Sequence, residues 1–131
     1  MGRSSTASMR RSAKEANQAL REHALSYPEA WEDYPWGGVV IKVRKKIFCT
    51  LSDDPEHSEL VCFGGKLPDS GIDALDLSGA EPTHYGMGKY GWVTFRLDPN
   101  DMPELDVLKA YIDESYRAIA PKTLIKQLDQ E

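Results

Sequence analysis

The chain has 131 residues, 40% of them hydrophobic and 28% charged, with 21 acidic side chains against 16 basic ones for a formal net charge of −5. That length suits one domain burying about two-thirds of its unfolded surface without staples or metals, and no apolar run approaches the ~18 residues of a membrane-spanning helix. The negative balance opposes nonspecific attraction to nucleic acid, so any such binding must come from a local basic patch.

Residues 1–11 are rich in Ser, Thr and Arg without periodicity, which predicts a flexible basic tail ahead of a single domain at 12–131. Arg3, Arg10 and Arg11 have no apolar stretch behind them, so no secretory signal is expected and the chain reads as cytoplasmic. Ser12 and Glu15 have capping-box spacing, and Ala13, Ala16, Leu20 and Ala24 recur at helical intervals, predicting a first helix to about Leu25. Tyr27-Pro28 stops it, and Glu29 to Gly38 reads as a loop dense in aromatic and acidic residues.

Val39–Val43 and Ile47–Leu51 are β-branched runs joined by Arg44-Lys45-Lys46, a hairpin with a charged tip whose Ile41, Val43, Ile47, Cys49 and Leu51 would share a face. Leu60–Phe63 predicts a third strand, Gly64-Gly65 a bulge or turn, and Pro68-Asp69-Ser70 the start of a short helix reaching about Leu77. Ser78 to Gly91 is a long connection, followed by the alternating strand Trp92–Leu97. Asp101 and Glu104 suggest a second capping box, opening a helix whose apolar face carries Leu105, Leu108, Ile112, Tyr116 and Ile119. Pro121 ends that helix, and Leu124, Ile125 and Leu128 mark a short terminal one. The order predicts an α+β fold, an antiparallel sheet of about four to five strands packed by N- and C-terminal helices.

Gly86-Met87-Gly88-Lys89-Tyr90-Gly91 fits the letters of a dinucleotide fingerprint, but that motif requires a helix after it and here a strand follows. A turn leading into a strand is the better reading, with Lys89 able to help hold an anion. Lys42, Arg44, Lys45 and Lys46 form the densest basic patch, either a contact surface for phosphates or a charged turn that protects a sheet edge. Glu29, Glu32 and Asp33 have no nearby nucleophile or histidine, and His23, His57 and His84 lack metal-ligand spacing. Cys49 and Cys62, 13 residues apart in apolar surroundings, read as buried strand thiols. No catalytic residues, metal site or cofactor are therefore expected. Trp31, Tyr34, Trp36, Tyr85, Tyr90 and Trp92 either cap the core or line a cleft, the core being the plainer role.

Glu32-Asp33-Tyr34-Pro35-Trp36-Gly37, the lysine-tipped hairpin, Gly86 to Leu97 and the run Ile112-Asp113-Glu114-Ser115-Tyr116-Arg117-Ala118-Ile119-Ala120-Pro121-Lys122 stand together in the order found in the MmcQ/YjbR family, which the chain resembles over about residues 20 to 130. The resemblance implies a compact fold similar to the CyaY-like or secretion-chaperone-like architecture, in a family often labelled DNA-binding for a double-wing motif. Where many relatives carry Asn-Lys-Arg/Lys-His-Trp before the last strand, this chain has Gly-Lys-Tyr-Gly-Trp, keeping Lys89 and Trp92 but losing a base and a histidine.

Two functional expectations follow. One is a non-enzymatic binding module touching DNA through Arg44, Lys45, Lys46 and Lys89. The other is a small-ligand or peptide pocket built from Tyr34, Trp36, His84, Tyr85, Gly88, Lys89 and Trp92. No membrane partner is expected under either.

Overall fold

The structure, a computed structural model, describes residues 13–35, 38–52, 59–84 and 87–130. Helix α1 (Ala13–Leu25) is followed by strands β1 (Ala30–Asp33), β2 (Val40–Val43), β3 (Lys46–Leu51) and β4 (Val61–Lys66). A short helix α2 (Gly71–Ala74), strand β5 (Ala80–Pro82), a 3-10 turn at Met87–Tyr90 and strand β6 (Trp92–Leu97) come next, and helices α3 (Leu105–Ile119) and α4 (Lys122–Asp129) close the chain. All strand pairs are antiparallel, in the order β1-β2-β3-β4-β6-β5. Helices α1 and α3 lie against each other on one face of the sheet, over β3 and β4. The tail at 1–11 and Ser12 of the first capping box fall outside the described residues.

The helical stripes read from the sequence are the ones buried. Ala13, Ala16, Leu20 and Ala24 of α1 and Leu108, Ile112 and Tyr116 of α3 meet Ile41, Val43, Phe48, Phe63 and Phe95 of the sheet in one core. Aromatic rings organise its centre: Tyr27 stacks on Tyr116 at 4.5 Å, Phe48 meets Tyr116 edge-on at 5.0 Å, and Phe63 stacks on Phe95 at 4.5 Å. Asn17 is the polar exception on the α1 stripe. Its side-chain amide donates to the Leu60 carbonyl and its oxygen accepts from the Cys62 N–H, so it pairs with the start of β4 as a neighbouring strand would.

Four expectations change. Among the described residues the sheet has six strands, because Ala30–Asp33 lies inside the predicted loop and Ala80–Pro82 inside the long connection. Both are short edge strands, too brief to leave a periodic signal. Gly64-Gly65 is neither turn nor bulge but the middle of β4. A Cβ on Gly64 would sit 2.6 Å from Thr50 Oγ1, and one on Gly65 would sit 3.0 Å from Ser115 Cβ, so close neighbours on both sides demand the missing side chains. The irregularity lies instead where Ile41 pairs with Cys49 but Lys42 with Ile47. Phe48 is thereby an extra residue on β3, and both it and Cys49 are fully buried while Ile47 and Leu51 are only partly so. Finally, Asp101 does not cap α3. The Asp98 side chain accepts from the Asn100 N–H and the Asp98 carbonyl from the Asp101 N–H, a turn that delays the helix to Leu105, behind an N-cap Glu104 with no side-chain cap.

The run Asp113 to Arg117 ties the layers together, one side chain per tie. Ser115 Oγ donates to the Phe48 carbonyl at 2.5 Å and accepts the Lys66 N–H at 2.8 Å, standing between β3 and β4 just beyond the last pair of their ladder, Thr50 with Gly64. The Glu114 carboxylate accepts from the N–H groups of Asp69 and Ser70 and from the Ser70 hydroxyl, anchoring the start of α2. Tyr116 donates to the Pro28 carbonyl at 2.8 Å. Asp113 accepts from the Tyr27 hydroxyl and from Arg117, which also pairs with Asp129 of α4. Burial, then the bond to Asp113, holds the Tyr27 phenol well above the ordinary tyrosine range.

Ser115→Ala leaves a buried carbonyl and N–H without their partner and should cost ~1–3 kcal/mol in chemical denaturation. Leu108→Ala, a truncation at a fully buried site, should cost ~2–5 kcal/mol. His23, 3.0 Å from the Tyr27 hydroxyl, is pushed below the ordinary histidine range by burial, then by Lys109, with Asp113 opposing. The unfolded chain therefore takes up this proton more readily, and the His23 contribution is complete above about pH 6.5 and lost as the pH falls through and below it. The denaturation midpoint of the native chain should drop more between about pH 7.5 and about pH 5.5 than that of His23→Gln.

Candidate functional site

The glycine-spaced stretch folds as a tight turn leading into β6. The Gly88 N–H donates to the Thr83 carbonyl, the Gly91 N–H to the Gly88 carbonyl, and the Gly91 carbonyl accepts from Leu67 at 2.8 Å. Gly91 has φ 92°, a left-handed backbone that a side chain would strain, and a Cβ on Gly88 would meet Pro82 Cβ at 2.6 Å. Two of the glycines are thus explained by the turn itself; Gly86 lies outside the described residues. A strand follows the turn, so no long helix presents its N-terminus as a dinucleotide site requires.

Between this turn and α2 runs an open groove of about 400 Å³. Leu67, Gly71, Val93 and Trp92 are its buried lining residues; Ile72 comes from α2, Leu75 from its C-cap, and Tyr90 with Lys89 from the turn. Ile72 is 84% exposed and Tyr90 64%, unusual values for large apolar and aromatic side chains so close together. Gly71 also lines the groove, and a Cβ there would make only ordinary contacts at 3.7–3.8 Å. Among the described residues Lys89 is the one charged lining residue and makes no ion pair; its ammonium lies 5.4 Å from the Tyr90 ring centroid.

The basic hairpin is largely answered by its own surroundings. Lys42 pairs with Asp33 at 2.6 Å and lies 5.3 Å from the Trp31 ring centroid, and the hydrogen bond from Lys42 holds the Asp33 carboxyl below its usual range. Arg44 pairs with Glu29 at 3.1 Å while its carbonyl accepts from Trp31 Nε1 at 2.8 Å, strapping the tip to β1. Both partners of that pair have left-handed backbones, φ 56° at Arg44 and 59° at Glu29. Glu32, the third acid of the aromatic stretch, bonds Arg21 of α1, which lowers its pKa. All three acids therefore hold structural pairs. Lys45 and Lys46 are exposed and make no ion pair among the described residues.

Register fixes where these groups stand. Val43 pairs with Lys46, Thr50 with Gly64 and Lys66 with Trp92, so the hairpin tip and the glycine turn share one end of the sheet, with only β4 between β3 and β6. That separation is roughly 10 Å across the sheet. Of the residues expected to form a pocket, Gly88, Lys89 and Trp92 meet in the groove; Tyr34, 54% exposed beyond β1, and His84, 3.2 Å from Glu81, are not among its lining residues. Trp36 and Tyr85 lie outside the described residues. Among the aromatics assigned to the core by default, Trp92 is buried whereas Trp31, Tyr34 and Tyr90 are exposed. Tyr90, one of the aromatics read as either core or cleft, lies at the groove, whereas Ile72 and Leu75 carry no site signal in the sequence: they are apolar residues on and beside an element too short to bury them.

Cys49 is fully buried, which pushes its thiol up to about 12, whereas Cys62 is only partly buried. Among the described residues no group of three or more His, Cys, Asp or Glu comes together to hold a metal ion, and no helix is long and apolar enough to cross a membrane.

The fold has solved counterparts. A crystal structure of a Deinococcus radiodurans protein with a DUF419 domain superposes with a TM-score of 0.66 at 21% identity, covering 86% of each chain. A Pseudomonas syringae protein superposes with a TM-score of 0.58 at 20% identity, covering 77% of this chain and 96% of the other. At such identities the likeness is one of fold. No curated protein matches the sequence significantly. The YjbR family model matches residues 25–118, a span that takes in the whole sheet, the glycine turn and the Asp113–Arg117 run on α3, and the chain belongs to the YjbR family.

Proposed function

We propose that this YjbR domain is a non-catalytic, cytoplasmic binding module whose ligand site is the groove between α2 and the glycine turn. The observation that carries the reading is the coincidence of a concavity of about 400 Å³, within the usual size range of small-molecule sites, with exposed Ile72 and Tyr90 at its walls. Its inner side is sheet, its outer side a four-residue helix held by Glu114, so a ligand would meet one rigid wall and one adjustable wall. Titration with indole, followed by backbone amide spectra, should shift the signals of Leu67, Gly71 and Val93. Ile72→Gln, at an exposed position, should weaken binding without changing the unfolding midpoint. Shifts scattered over the surface, or none, would remove the groove from consideration.

DNA contact is the second reading, supported by the hairpin tip and Lys89 sharing one end of the sheet. With Lys42 and Arg44 already paired, the free cations there are few, and duplex affinity at physiological salt should be no better than the ~10⁻⁴–10⁻⁶ M of nonspecific binders. Lys45→Ala should lower the slope of log K against log salt by ~0.9, and Arg44→Ala by less, since Glu29 already answers its charge. Titrations against random and genomic duplexes at two salt concentrations measure both; nanomolar, sequence-dependent binding would place DNA first.

A further inference from the structure

We infer that the groove takes a small amphipathic monoanion, an acyl or aryl carboxylate, with its apolar body between Ile72 and Tyr90 and its carboxylate at Lys89. The inference rests on the groove being a ligand site and adds the chemistry of the ligand. Among the described residues, every lining residue but one is glycine, proline, apolar or aromatic, the exception is a cation, and no acidic side chain lines the groove. Glu114 of α3, which anchors the α2 segment, is engaged with the Asp69 and Ser70 N–H groups. A cationic ligand would therefore find no partner, and a neutral apolar one would leave Lys89 unused.

Lys89 is also available. It makes no ion pair among the described residues, and its neighbour is the Tyr90 ring at 5.4 Å, an exposed cation–π contact of ~0.5–1 kcal/mol that a carboxylate can supplement without breaking. Binding here is reversible association, with no covalent step. The volume of about 400 Å³ matches a ligand of medium chain length or one aromatic ring with a short arm.

Decanoate, decanol and decyltrimethylammonium, each below its micelle concentration, supply the test, read by calorimetry and backbone amide spectra on the full chain. Decanoate should bind with shifts centred on Leu67, Gly71 and Val93, about fivefold more tightly than decanol, the advantage expected of one exposed ion pair. Decyltrimethylammonium should bind more weakly than either. Lys89→Gln, at an exposed turn position, should reduce decanoate to the affinity of decanol and leave decanol unchanged. Equal affinity for decanoate and decanol, or no effect of Lys89→Gln, would overturn the assignment of an anion while leaving the groove as a ligand site. Absence of binding by all three probes would overturn both. Groove signals that move with protein concentration alone would make a second copy of the chain the occupant and overturn the inference.

Discussion

A hydroxyl group standing between two strands holds this fold in register. Where Phe48 bulges out of β3, the carbonyl of Phe48 and the N–H of Lys66 are joined through Ser115 Oγ instead of to each other. A helix side chain thus serves as a rung of the sheet. Two sequence choices make this possible: a small hydroxyl residue on α3 and a glycine at 65 that lets it approach. Phe48, the extra residue of the β2–β3 bulge, also meets Tyr116 and Tyr27 edge-on, so the residue whose carbonyl Ser115 answers is part of the aromatic centre of the core. Leaving either backbone group unanswered in the interior would cost more than the bond itself contributes, which makes the arrangement all-or-none.

The same helix positions the candidate site from a distance. Glu114, one residue before Ser115, accepts from both N–H groups that open the α2 segment, so the outer wall of the groove hangs from α3 although no α3 residue lines it. The inner wall is β6 and the residue after β4, fixed by the bond from Leu67 to Gly91. The two walls meet directly at the floor, where the Gly71 N–H donates to the Leu67 carbonyl at 3.0 Å.

Much of the fold was legible because burial leaves a period. The α1 and α3 stripes and strand β6 could be read from residue spacing alone, and antiparallel architecture followed from their order. The edge strands were not legible, since three or four residues such as Ala80–Pro82 carry no period and gain strand character only from the neighbour they pair with. Gly64-Gly65 misled for a related reason: glycine suggests a break, but here it answers crowding from Thr50 and Ser115, which are distant in sequence. The basic hairpin was visible as a charge cluster, while its neutralisation by Glu29 and Asp33 depends on β1 existing. Gly88, Lys89 and Trp92, offered by the sequence as pocket residues, do lie together at the groove, whereas Ile72 and Leu75 do not stand out, because nothing in spacing tells a packed apolar residue from one facing a concavity. The residues that carry the family resemblance on α3 prove to be ties between layers.

Gly71 gives the groove an adjustable depth. Unlike Gly64 and Gly88, it is not excluded from carrying a side chain by crowding, since a methyl group there would touch its neighbours at ordinary distances and project into the space a ligand would use. Groove volume is consequently separable from the sheet: one position, off the strands and outside the Ser115 bridge, sets how deep the concavity runs. Glycine at that position sets the chain at the roomy end of the scale.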